Sequence, residues 1–129
     1  MAVTSAIISP YKKILIPALG AGCSLAESIT GYELREWKKA NPDGIIVSYV
    51  NTTAEVKAWT DICCTSANAL KVVQSIPPDR KILFVPDKNL GAWIRKVTGR
   101  EMELWHGDCC VHERITTDMI LEKSRDYPQ

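Results

Sequence analysis

The sequence has no long apolar run. Its longest stretches, such as Ile14-Leu15-Ile16 and Ile45-Ile46-Val47, fall far short of the roughly 20 residues that a membrane-spanning helix needs. No charged segment followed by an apolar core opens the chain, so nothing reads as a signal peptide, and the expectation is a cytoplasmic protein. Basic runs are also missing: 16 Lys and Arg stand against 15 Asp and Glu, for a net charge of +1. Without a basic face to displace counterions from phosphates, neither nucleic acid nor an anionic membrane is the expected partner. Small-molecule chemistry or a protein partner remains. The chain further lacks a nucleophile motif, a phosphate-binding glycine loop and a dinucleotide fingerprint. Five cysteines cannot all pair. The adjacent Cys63-Cys64 and Cys109-Cys110 suit a disulfide framework poorly, because neighbours join only through a strained ring, so reduced thiols are expected.

What is present is the composition of one globular unit: 129 residues, 46% hydrophobic and 24% charged. Residues 13–17, 45–50, 61–65, 81–86 and 102–105 read as strands, separated by stretches of helical length and periodicity. Thr30-Gly31-Tyr32-Glu33 and Thr52-Thr53-Ala54-Glu55 both fit a capping box, placing helix starts near Gly31 and Thr53. Asn41-Pro42-Asp43-Gly44 and Ser75-Ile76-Pro77-Pro78-Asp79 should end helices, since proline breaks the hydrogen-bond ladder. Strands joined through helices cannot form tight hairpins. The expected fold is therefore α/β, a parallel sheet with helices on both faces. Residues 1–8 read as a helix whose preceding strand is absent, and 117–125 as a helix leading to a strand that does not follow, so the chain reads as truncated at both ends.

Candidate chemistry lies where strands end. Ala21-Gly22-Cys23-Ser24-Leu25-Ala26 puts a thiol beside glycine, where a bulky group can approach the backbone; a buried structural cysteine is the competing reading. Trp105-His106-Gly107-Asp108-Cys109-Cys110-Val111-His112 repeats the strand, glycine, thiol order 86 residues later (109 − 23). Its Cys109, Cys110, His106 and His112 are zinc-type ligands, but they match no standard zinc spacing. Tyr49, Asn51, Thr65 and Ser66 sit at other strand ends, where helix N-termini favour carboxylates or phosphates. Ser66 and Thr52 also suit helix caps, Asn51 a turn, and Tyr49 simple packing.

Taken together and in order, five segments resemble the quinolinate synthase family. They are Ala21 through Ala26, Val47-Ser48-Tyr49-Val50-Asn51-Thr52 with Ala54-Glu55-Val56-Lys57, Cys64-Thr65-Ser66-Ala67-Asn68-Ala69, Pro86-Asp87-Lys88-Asn89-Leu90-Gly91, and Trp105 through Glu113. The resemblance implies three similar α/β repeats around a pseudo-threefold axis. Residues 1–42 would be the C-terminal part of the first repeat, 43–112 the second, and 113–129 a lead-in helix to a third repeat absent from this chain. It also implies a 4Fe-4S cluster held by one cysteine per repeat, acting as a Lewis acid. Cys23 and Cys109 match two of these ligands, Cys110 falls on a variable position, and the third cysteine has no counterpart. The implied activity, in de novo NAD biosynthesis, is a transferase reaction that condenses iminoaspartate with dihydroxyacetone phosphate to quinolinate. Tyr49, Asn51 and Ser66 match substrate-binding positions. A complementary chain, or the continuation of an incomplete sequence, would supply the remaining pieces; the alternative is an inactive truncated fragment or a metal- or cluster-binding module.

Overall fold

The structure, a computed structural model, describes residues 1–18 and 20–128; positions 19 and 129, within the expected 1–42 and 113–129 segments, lie outside it. The most apolar segment, Ile82-Leu83-Phe84-Val85, is buried at every position and forms a central strand. Four strands, β1 (Ile45–Tyr49), β2 (Ile62–Cys64), β3 (Ile82–Val85) and β4 (Glu103–Leu104), make a parallel sheet in the order β2-β1-β3-β4. Continuous apolar runs are what a parallel sheet covered on both faces requires.

The two faces follow from side-chain alternation along each strand. Val47, Ile82 and Phe84 point into one core with Ala69 and Val73 of α5 (Ala69–Ser75) and Ile94 of α6 (Lys88–Thr98). Ile46, Leu83 and Val85 point into the other, against Leu34 of α3 (Gly31–Ala40) and Val56 of α4 (Ala54–Ala58). Each large aliphatic or aromatic side chain in these layers contributes about 1.5–3 kcal/mol of burial. The expected α/β architecture with helices on both faces is the one observed. Among the described residues, α1 (Ala2–Ile8), α2 (Ser24–Glu27) and α7 (Thr117–Asp126) complete the α-helices, a short 3-10 helix spans His112–Arg114, and no helix is long and apolar enough to cross a membrane.

Two local expectations are corrected. Residues 13–17 form no strand: they join no ladder, and Leu15 is 83% exposed. A β-rich run becomes a strand only where a neighbouring edge and a buried face receive it. The second capping box does not form. Thr53, not Thr52, caps α4, accepting from the Val56 amide at 3.2 Å, while Thr52 turns inward and is buried. The first box is present at Thr30, whose hydroxyl accepts from the Glu33 amide while the Glu33 carboxylate accepts from the Thr30 amide. Helix ends fall as proline placement predicts, at Ala40 before Asn41-Pro42 and at Ser75 before Ile76-Pro77.

Candidate functional site

The strand order creates the site. From β1 the chain crosses to β2 on one side and then returns past β1 to β3 on the other, so a crevice opens at the carboxyl ends of β1 and β3. A cavity of about 260 Å³ lies there, lined by Leu25, Tyr49, Ser66, Asp87, Asn89, Leu90 and His112. Tyr49 is the last residue of β1, and Ser66 and Asp87 follow the ends of β2 and β3. A wider groove of about 800 Å³ runs along β4; of the residues singled out in the sequence its walls contain His106 but none of Cys23, Cys109, Tyr49, Asn51 and Ser66.

Cys23 is half-buried at the N-cap of α2, and the Asn51 side-chain amide donates to its sulfur at 3.3 Å. The Asn51 side-chain oxygen Oδ1 accepts from the Met1 amino group at 2.9 Å. Thus Asn51 sits beside a thiol rather than in the wall of the cavity. Cys109 is also half-buried, in a loop that is tied at several points. The Lys88 amide donates to the Gly107 carbonyl at 2.8 Å, and the Lys88 ammonium pairs with Asp108 at 2.8 Å and Glu113 at 3.7 Å. The hydrogen bond with Asp108 raises the Lys88 pKa above its ordinary value. Asn89 adds a 2.6 Å bond to Glu113.

The two thiol-bearing segments meet. The Trp105 indole donates to the Ser28 carbonyl at 2.8 Å, and the Ser24 hydroxyl lies 3.5 Å from the Cys110 sulfur. Gly107 makes the approach possible. A Cβ there would lie 2.5 Å from the Pro86 carbonyl oxygen and would also run into the Ser28 side chain.

All five cysteines are free thiols, as expected. Burial, aided by the neighbouring Cys63, pushes the Cys64 thiol up to about 12, which marks Cys64 as a packing residue; Cys63 is exposed. His106 lines the β4 groove and His112 the switch-point cavity, so the zinc-type set of His106, Cys109, Cys110 and His112 is not assembled. Among the described residues no group of three or more His, Cys, Asp or Glu side chains is placed to hold a metal ion.

Helix N-termini differ from expectation. At α6 the Asp87 carboxylate already accepts from the Asn89 and Leu90 amides, so those donors are taken. Neither Ser66 nor Thr52 is a cap: α5 begins after Asn68, whose side-chain oxygen accepts from the Thr65 amide and hydroxyl. Sequence reasoning placed Asp87 at a strand end, within Pro86-Asp87-Lys88-Asn89, but missed Leu25 as a wall residue, and Lys57 and Lys88 as loop ties. The available signal for Lys57 was its place in a helix of only five residues, from which a side chain leans back toward the preceding loop.

The profile of the family described as Quinolinate synthetase A protein matches residues 1–129. A protein named quinolinate synthase from a Synechocystis species is 52% identical over 129 residues, spanning 100% of this chain and 41% of that protein. One from Mycobacterium tuberculosis is 57% identical over 129 residues, spanning 99% of this chain and 37% of the relative. Another from Pyrobaculum aerophilum is 52% identical over 127 residues, spanning 98% and 41%. The chain thus spans about 41% or less of the length of these curated relatives.

Proposed function

Because this chain belongs to the quinolinate synthetase A family, we propose that it carries part of the active site of a quinolinate synthase. That enzyme would condense iminoaspartate with dihydroxyacetone phosphate, losing phosphate and water, in NAD biosynthesis in the cytoplasm. The observation that supports the reading best is the docking of the Cys23 and Cys109 segments onto one corner of the sheet through Ser24 and Cys110, next to the switch-point cavity. On this reading the second repeat, 43–112, contains the four strands.

Cys23 and Cys109 fit a 4Fe-4S cluster in donor chemistry, as half-buried free thiols on tied loops. They do not complete its ligand set, and the third thiol comes from outside these 129 residues. Bound there, the cluster supplies a Lewis-acid iron. The residues of this chain act around it. Asn51 orients the Cys23 sulfur through its amide. The Tyr49 and Ser66 hydroxyls are donors for substrate carboxylate oxygens entering the cavity. Leu25 and Leu90 give that cavity an apolar side, which strengthens each polar contact by keeping water out.

The test is anaerobic reconstitution of this chain with a complementary chain that supplies the remaining repeats, followed by addition of both substrates. Quinolinate should form, and Tyr49→Phe and Ser66→Ala should each slow it. No quinolinate from a mixture that has taken up iron and sulfide would overturn the reading. A second reading, a module that holds a cluster without turnover, also draws on the contact between the two thiol segments; it predicts cluster uptake without product.

A further inference from the structure

After Tyr49 the chain leaves the sheet, with a last ladder bond from the Val50 amide to the Cys64 carbonyl at 2.7 Å. The carbonyls beyond that point need other partners, because a buried backbone acceptor left unmade is costly. Lys57, in α4, supplies them. Its ammonium donates to the Val50 carbonyl at 2.8 Å, the Thr52 carbonyl at 2.6 Å and the Thr52 hydroxyl at 3.0 Å.

Three acceptors match the three protons of an ammonium group. None of them is a carboxylate, and Lys57 is in no ion pair among the described residues. A surface lysine normally keeps its head in water. Here burial lowers the Lys57 pKa, with the Cys63 thiol acting the other way. The group is therefore placed for its hydrogen bonds rather than for charge pairing. Both residues it grips flank Asn51, whose amide reaches the Cys23 sulfur. A threonine from α1 grips the same turn, with the Thr4 hydroxyl donating to the Val50 carbonyl at 3.0 Å.

We propose that Lys57 is a positioning residue: by fixing Val50 and Thr52 it holds Asn51 in register with the Cys23 thiol. The functional weight of this rests on the reading of Cys23 as a ligand, but the positioning itself is a matter of geometry in this chain. An arginine could not substitute, because its flat fork cannot spread three donors over these acceptors.

Disulfide trapping tests it without iron or substrate, so its failure is separate from failure of the enzyme reading. Asn51→Cys places a thiol beside Cys23, and oxidised glutathione joins the two, accepting two electrons and two protons. Ser24→Cys beside Cys110 is the control, since that contact does not pass through Lys57. Peptide mass spectrometry reads both rates. Adding Lys57→Met should slow trapping in the Asn51→Cys protein about tenfold, as expected from the loss of charged hydrogen bonds, and leave the Ser24→Cys control unchanged. Equal slowing of both, or of neither, overturns the proposal. Thr52→Val removes the hydroxyl acceptor, together with that hydroxyl's own long 3.4 Å bond to the Tyr49 carbonyl, and should slow trapping about threefold. An unchanged rate in that variant, with circular dichroism showing an intact fold, overturns the proposal even if Lys57→Met does not fold.

Discussion

The hydroxyl of Ser24 lies 3.5 Å from the sulfur of Cys110, joining segments 86 residues apart. That contact, with the Trp105 bond to Ser28, makes one corner of the molecule out of a short helix and a loop that share no strand. The candidate site is therefore built by packing between loops, and its weak points are the residues that allow the loops to approach.

Gly107 is the first of these. Gly107→Ala puts a methyl group 2.5 Å from the Pro86 carbonyl oxygen, a main-chain atom that cannot swing away. Overpacking of this kind costs about 1–3 kcal/mol. The urea midpoint should fall accordingly with an unchanged slope, and a midpoint equal to wild type would show that the loops are not in close contact.

Trp105 is the second. Trp105→Phe keeps most of the packing but leaves the Ser28 carbonyl without its 2.8 Å donor. The expected loss is about 1 kcal/mol. Since Gly107 and Trp105 both act on Ser28, the double variant should lose less than the sum of the two. Strict additivity in denaturant unfolding would separate the two contacts.

The paired cysteines at 63 and 64 should behave as opposites. At neutral pH an alkylating reagent should modify exposed Cys63 and leave buried Cys64 untouched until the chain unfolds. Folding pushes the Cys64 thiol from its ordinary value of 9.0 up to about 12. Between those values the unfolded chain has released the proton and the folded chain retains it, so this group makes stability fall as pH rises from 9 towards 12. Cys64→Ala should flatten that part of the stability curve, at the cost of a small cavity; a slope identical to wild type would contradict the assignment.

Much of the fold was legible in the sequence because β1 and β3 are apolar on both faces and the helices between carry cap and stop signals such as Thr30 and Pro42. Residues 13–17 misled for the same reason that made β3 readable. Their composition is strand-like, and only the presence of a receiving edge distinguishes the two. Tyr49 and Ser66 were found at the cavity because strand ends in a parallel sheet converge at the switch point. Asn51 was legible as a site residue but not as a donor to Cys23, since a contact across 28 positions depends on how a turn closes. Lys57 and Lys88 were missed because lysines in helices usually face water, and nothing in their spacing shows which carbonyl or carboxylate awaits them.

The central claim is that Cys23 and Cys109 are ligands of one iron–sulfur cluster. Its most direct test is iron and sulfide content with visible absorbance, after anaerobic reconstitution of this chain together with a chain supplying the remaining repeats. Cys23→Ala and Cys109→Ala should each abolish the broad visible absorbance and most of the bound iron, while Cys63→Ala and Cys110→Ala keep both. Full cluster content in either of the first two variants would contradict the account.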